Sequence, residues 1–255
     1  MGTPIILADN RLLDGTPTAT GTAPGYDVLN VRDLRQFTYW KDSSAGSARA
    51  ILVDCGQPKT ADTVAMIGHN FGTGQSAFDV EVSSNGTNWS QVLAPVSPSN
   101  DKAILKTFPK QTARFWLFGY SSPSIPAQIS ILMLGERITF PYPPQTPFAP
   151  ESVKVEAEAT RSKTGQLLGA VVRYKPFSIS PRWTNLPRAW VETTYQAFIE
   201  NYASELKPFF WAWDLENYPA DVRFVTIDPD AAQEAPVSVL GYYDSISLPM
   251  IGVRE

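Results

Sequence analysis

Along the chain, apolar and polar positions alternate in short runs. The clearest run is FDVEVSSNGTNWSQVL, residues 78–93. Phe78, Val80 and Val82 alternate with Asp79, Glu81 and Ser83, which puts the first three on one face of a strand. Asn85-Gly86 follows, a pair that tolerates the positive φ of a two-residue type I′ turn. The run is therefore read as a β-hairpin, with Trp89 covering the apolar face from the returning strand. Similar runs predict strands over Ala50 to Asp54, Thr63 to Ile67, Trp89 to Leu93, Arg114 to Tyr120 and Ala127 to Gly135. Turn-rich segments, 68–74 and 121–126, separate them. Short strands at this spacing, with no helical period, predict a β-sandwich or jelly roll over residues 1–140.

Residues 141–150 read PYPPQTPFAP. Proline at this density can enter neither a helix nor the interior of a ladder, so the segment is read as an extended linker. Beyond it the pattern is mixed. Val153, Val155, Ala157 and Ala159 alternate with Lys154, Glu156 and Glu158 in an amphipathic strand. A turn at 161–165 leads to a strand over Leu167 to Tyr174. Then Trp190, Thr194, Phe198 and Tyr202 recur every fourth residue, beside Val191, Tyr195 and Ile199. They predict one helix from Pro187 to Leu206, with Pro208 just past its end. Strands follow over Phe209 to Trp213, Val222 to Asp228 and Val237 to Tyr243. The fold class is mainly β: an N-terminal sandwich, then an α+β domain over 151–255 with one main helix packed on a sheet.

Composition narrows the function classes. At 43% hydrophobic and 18% charged residues, the chain can bury a sizeable core. The net charge of −4, without a basic cluster, argues against nucleic-acid readout. Cys55 is the only cysteine, so neither an intrachain disulfide nor a thiolate metal cluster is expected. The start MGTPIILADNRLL is not read as a signal peptide, and the longest apolar run is too short to span a bilayer. A soluble protein from a reducing compartment is expected, and the two Asn-x-Thr/Ser matches, at Asn85 and Asn88, are read as chance.

Several motifs fall in a familiar order: Asn30-Val-Arg-Asp-Leu, Trp40, Ile51-Leu-Val-Asp-Cys-Gly56, Gly68-His-Asn70, Ser83-Ser-Asn-Gly-Thr-Asn-Trp89, Arg114-Phe-Trp-Leu and Ile129 to Gly135. Over residues 5–138 this resembles the galactose-binding-like, discoidin-type β-sandwich. The resemblance implies binding of sugars, lipids or proteins through loops at one end, and many such domains are structural modules. The cysteine pair of secreted members is absent, which favours assembly in a cytoplasm. The second part, with Pro208-Phe-Phe-Trp-Ala-Trp-Asp214, is similar in element order to ring-forming distal tail proteins of long-tailed bacteriophages.

The pairing implies a non-enzymatic component of a phage tail tip or baseplate, located in the virion and assembled in the host cytoplasm. Its partners would be copies of itself in a ring, the tail tube, hub and tape measure, and a host-surface glycan. Phe209, Phe210, Trp211 and Trp213 are the candidate oligomer interface, or else core. The alternative is a carbohydrate-binding module or adhesin with Trp40, His69, Asn70 and Asn88 near one loop end. A third reading is a glycan hydrolase using Asp214, Glu216 or Asp221, which as turn acids need no such role. His69, the only histidine, is read as a turn residue rather than a catalyst. No cofactor is expected. Asp14, Asp33, Asp42 and Glu136 are candidate ligands of a structural calcium, or simply surface carboxylates and caps.

Overall fold

The computed structural model describes residues 2–231, 237–239 and 242–253. The chain is mostly strand with one main helix and forms two compact units. One comprises Ile5–Thr139 and Phe210–Val222. The other comprises the segment ending at Pro4, Phe140–Phe209 and the segment from Arg223 onward.

The first unit is built on two long antiparallel strands, Gly46–Ile67 and Ile104–Ser122. Their pairing shifts register between Asp54 and Lys59 and again between Ala61 and Thr63. Gly56, at φ 72°, sits in the first bulge, where its lack of a Cβ allows the left-handed backbone. Each long strand thus has two stretches. The stretches ending at Asp54 and starting at Phe115 carry Ala77–Ser83, then Ser90–Val96, on one side. The stretch Thr63–Ile67 pairs in addition with Ile131–Gly135. Side chains from both stretches meet in one core: Ile51, Val53, Phe78, Val80, Trp116 and Phe118 from one, Val64, Met66, Phe108, Leu132 and Leu134 from the other. Strands that turn a corner at bulges to wrap one core make a sandwich.

The predicted register of 78–83 holds: Phe78, Val80 and Val82 are buried, and Asp79 and Glu81 face outward. The predicted turn does not. Val82 pairs with Ser90, so the loop is longer than two residues. Ser83 Oγ accepts from the Gly86 N–H at 3.0 Å, and Asn85 Oδ1 accepts from the N–H groups of Thr87 and Asn88 at 2.9 Å. These local bonds compete with a tight turn, although Gly86 does take positive φ, at 74°. Trp89 is half-buried outside the core cluster rather than covering it. The two predicted strands Ala50 to Asp54 and Thr63 to Ile67 are one strand, because Gly56 and Pro58 mark a bulge and not a turn. The predicted strand Ala127 to Gly135 is two, Gln128–Ile129 and Ile131–Gly135.

In the second unit, Val222–Ile227, Met250–Val253, Pro176–Ile179 and Ser152–Val153 form a sheet in that order. The helix runs from Arg188 to Asn201, widened over Val191–Tyr195, and Val191, Tyr195 and Phe198 are buried. A wide turn keeps residues four apart in line, which accounts for the four-residue spacing in the sequence. The predicted helix to Leu206 thus ends at Asn201; a separate 3-10 turn, Ala203–Glu205, follows and is capped by Leu206 at φ 55°, two residues before Pro208. Phe140 stacks on Trp183 at 4.3 Å and meets Trp190 at 5.0 Å, while Phe198 meets Phe209 edge-on at 5.1 Å. The segment 141–150 is tied to this unit, since the Gln145 N–H donates to the Arg182 carbonyl at 2.8 Å. Ser152–Val153 and Glu156–Arg161 replace the single predicted amphipathic strand. The predicted strand Val237 to Tyr243 is seen at Val237–Val239 and Tyr242–Asp244; residues 240–241 lie outside the described residues.

Candidate functional site

Across the outer face of the sandwich sheet lies an open groove of about 370 Å³. Three neighbouring strands build it. Gly46–Ile67 contributes Ala48, Arg49 and Ala50; Ile104–Ser122 contributes Leu117, Gly119 and Ser121; Ala77–Ser83 contributes Asp79 and Glu81; Pro95 closes one side. Pairing fixes their order, since Gly119 stands opposite Ala50 on one side and Asp79 on the other. The period of two that buries Phe78 and Val80 is what turns Asp79 and Glu81 outward.

Gly119 is the low point of the floor, and a Cβ there would stand 2.2 Å from Asp79 Oδ1. The Asp79 carboxylate therefore lies over the glycine, steadied by Gln91 Nε2, which donates to its Oδ2 at 2.8 Å. Partial burial, and then the neighbouring Asp79 charge, hold the Glu81 carboxyl above its ordinary pKa. The groove's one cation is already engaged. Arg49 Nε pairs with the buried Asp42 at 3.3 Å, and Asp42 also accepts from the Tyr120 hydroxyl at 2.6 Å. Burial, and then this bond to Asp42, push the Tyr120 hydroxyl well above the usual range. The groove is thus a shallow, partly apolar trough with two carboxylates side by side on one wall.

The residues expected to form one glycan-binding loop end have other places. Trp40 is fully buried: its Nε1 donates to the Gly21 carbonyl and Thr22 Oγ1, both at 3.2 Å, and its ring meets Tyr120 edge-on. His69 is buried and uses both nitrogens. Nδ1 accepts from the Phe71 N–H at 3.2 Å, so Nε2 carries the proton to the Lys102 carbonyl at 2.8 Å. Burial lowers its pKa and keeps the ring neutral. Asn70 Nδ2 donates to Pro126 O and its Oδ1 accepts from the Gln128 N–H, pinning the loop after Ile67. Asn88 is exposed, in the loop after Ser83, whereas His69 and Asn70 precede Ala77. The strand Ala77–Ser83 therefore separates Asn88 from them by roughly 20 Å at 3.3 Å per residue.

Phe209, Phe210, Trp211 and Trp213 are all buried. They are core, which corrects their reading as an oligomer surface. Asp214 accepts from the Asn217 N–H at 3.1 Å in a turn, and Asp221 accepts from Trp213 Nε1 at 3.3 Å; Glu216 lies exposed in that turn. The calcium candidates do not converge. Asp14 pairs with Arg11 and Lys59, Asp33 accepts from Arg35 N–H and Thr38 Oγ1, Asp42 serves Tyr120 and Arg49, and Glu136 pairs with Lys110. Among the described residues no three His, Cys, Asp or Glu side chains come together to hold a metal ion.

No protein-family model matches the chain, and no curated protein matches it in sequence. In structure the chain is similar to chitosan-binding module 1 of a chitosanase/glucanase from Paenibacillus sp. IK-5, at 18% identity over 49% of this chain and 97% of that one, TM-score 0.41. It is also similar to a pectin-binding carbohydrate-binding module, at 17% identity over 47% and 88%, TM-score 0.39. A third is the Clostridium perfringens module CBM32-5, in complex with GalNAc-β-1,3-galactose, at 14% identity over 51% and 99%, TM-score 0.41. At these scores the likeness carries no functional weight, and the sandwich assignment stands on the strand pairing itself. Nothing in these matches supports the tail-protein resemblance of the second part.

Proposed function

We propose that this protein is a non-catalytic carbohydrate-binding protein, whose sandwich groove takes a neutral or amino-sugar oligosaccharide. The groove itself carries the reading. Its size is that of a small-ligand site, with Leu117, Pro95 and Ala50 offering apolar contact to the C–H faces of sugar rings. Asp79 and Glu81 offer carboxylate oxygens to hydroxyl or ammonium donors, and such charge-assisted bonds are the stronger kind. The nearest guanidinium is paired with Asp42, so local charge opposes uronates. Asp79 and Glu81 sit two apart on one strand and share a wall; a glycosidase needs carboxylates on either side of the scissile bond.

The test is binding of purified protein to neutral, amino-sugar and uronate oligosaccharides by calorimetry, with the double variant Asp79→Asn/Glu81→Gln. Neutral or amino sugars should bind, and the double variant should lose at least tenfold in affinity. No binding of either class at ~1 mM, or release of sugar products detected by mass spectrometry, defeats the proposal.

A further inference from the structure

Strands Glu156–Arg161 and Leu167–Tyr174 pair only with each other among the described residues, joined by a turn in which the Gly165 N–H donates to Ser162 O at 2.9 Å. Pairing of Ala157 with Val172 and Ala159 with Ala170 puts Leu168, Ala170, Val172 and Tyr174 on one face with the two alanines. The opposite face carries Glu158, Thr160 and Arg173, with Arg173 paired to Glu158, beside the apolar Leu167 and Val171. The first face is therefore the more apolar of the two, and it is open: Leu168 is 66%, Val172 51% and Tyr174 52% exposed. A lone two-stranded ribbon is marginal in water. An open apolar face on one marks a surface awaiting a partner.

Charge identifies the partner. Residues 154–175 hold five basic and two acidic side chains, net +3; the rest of the chain holds 16 and 23, net −7. Two hairpins would repel each other, whereas a hairpin meeting the body of another copy joins opposite charges. We propose that this hairpin is an arm that docks, apolar face down, on the acidic body of a second copy of the chain. The contact is head-to-tail, so it closes into a ring or continues as a filament. The face offers on the order of 400 Å², about half of one partner's share in a standard interface. The basic residues Arg161, Lys163 and Lys175 engage the remainder, Lys154 being paired with Glu156.

The inference does not depend on the glycan reading and is tested apart from it. The 255-residue chain at ~50 µM is measured by light scattering coupled to size exclusion, beside Leu168→Glu/Val172→Glu and, on the opposite face, Thr160→Glu. Circular dichroism and melting establish that each variant is folded. The parent and Thr160→Glu should run as multimers of the 28.1 kDa chain, and the double variant as a monomer. Raising salt from 0.05 to 1 M should shift the parent toward monomer. A monomeric parent, a double variant that stays multimeric, or a parent that stays monomeric and floats instead with anionic vesicles overturns the proposal.

Discussion

Replacing Trp40 separates core from binding surface. Its ring is fully buried and packs edge-on against Tyr120 at 5.6 Å, and its Nε1 has two acceptors at 3.2 Å. Truncating a buried tryptophan to alanine costs roughly 3–5 kcal/mol. Leaving the Gly21 carbonyl without its donor adds about 1 kcal/mol. The total, about 4–6 kcal/mol, is a large part of the roughly 5–15 kcal/mol that holds a domain together. At roughly 2–4 °C per kcal/mol for a unit of this size, Trp40→Ala should lower the melting midpoint by about 10–20 °C. Trp40→Phe keeps most of the apolar volume and should lose less than half as much. The assay is thermal melting by near-ultraviolet circular dichroism, with ligand binding measured at 10 °C, where the variant remains folded. Binding there should change less than about twofold. A variant that melts within about 2 °C of the parent yet no longer binds sugar would refute the burial of Trp40 and return it to the binding surface.

Three further outcomes follow from the same geometry. Gly119→Ala should leave the melting midpoint within about 2 °C, because its new methyl displaces only the end of the Asp79 side chain, and should weaken sugar binding severalfold in calorimetry. Tyr120→Phe removes the hydroxyl that donates to the buried Asp42 and should cost about 1.5–3 kcal/mol by urea denaturation. His69 has its pKa lowered by burial, so its contribution is complete above the unfolded value near 6.5 and is lost as pH falls through it. The midpoint should therefore drop between pH 7.5 and 5, and His69→Asn should flatten that dependence.

Much of the fold is legible in the sequence where a period is strict. The alternation at 78–83 gives the register, and the fourfold recurrence from Trp190 to Tyr202 gives the helix. What misleads is punctuation. Gly56-Gln-Pro58 reads as a turn, yet the partner strand absorbs it as a bulge. Asn85-Gly86 reads as a two-residue turn, yet Ser83 and Asn85 side chains bind the backbone locally and lengthen the loop. The candidate site was legible only in part. Asp79 and Glu81 are visible as the polar phase of a strand, but the groove needs Gly119 and Ala50 brought beside them by pairings across 40 and 69 positions of sequence, which no local pattern encodes. Trp40 and His69, beside turn residues, read as loop ligands, and only packing shows that they point inward.

The central claim is that sugar lies across the sheet face and not at the loops. Amide chemical-shift mapping during titration with a bound oligosaccharide tests it most directly. Shifts concentrated at Ala48–Ala50, Ala77–Glu81 and Leu117–Ser121, and abolished in Asp79→Asn/Glu81→Gln, are the predicted result. Shifts confined to residues 68–76 and 84–89, with the sheet face silent, would contradict it.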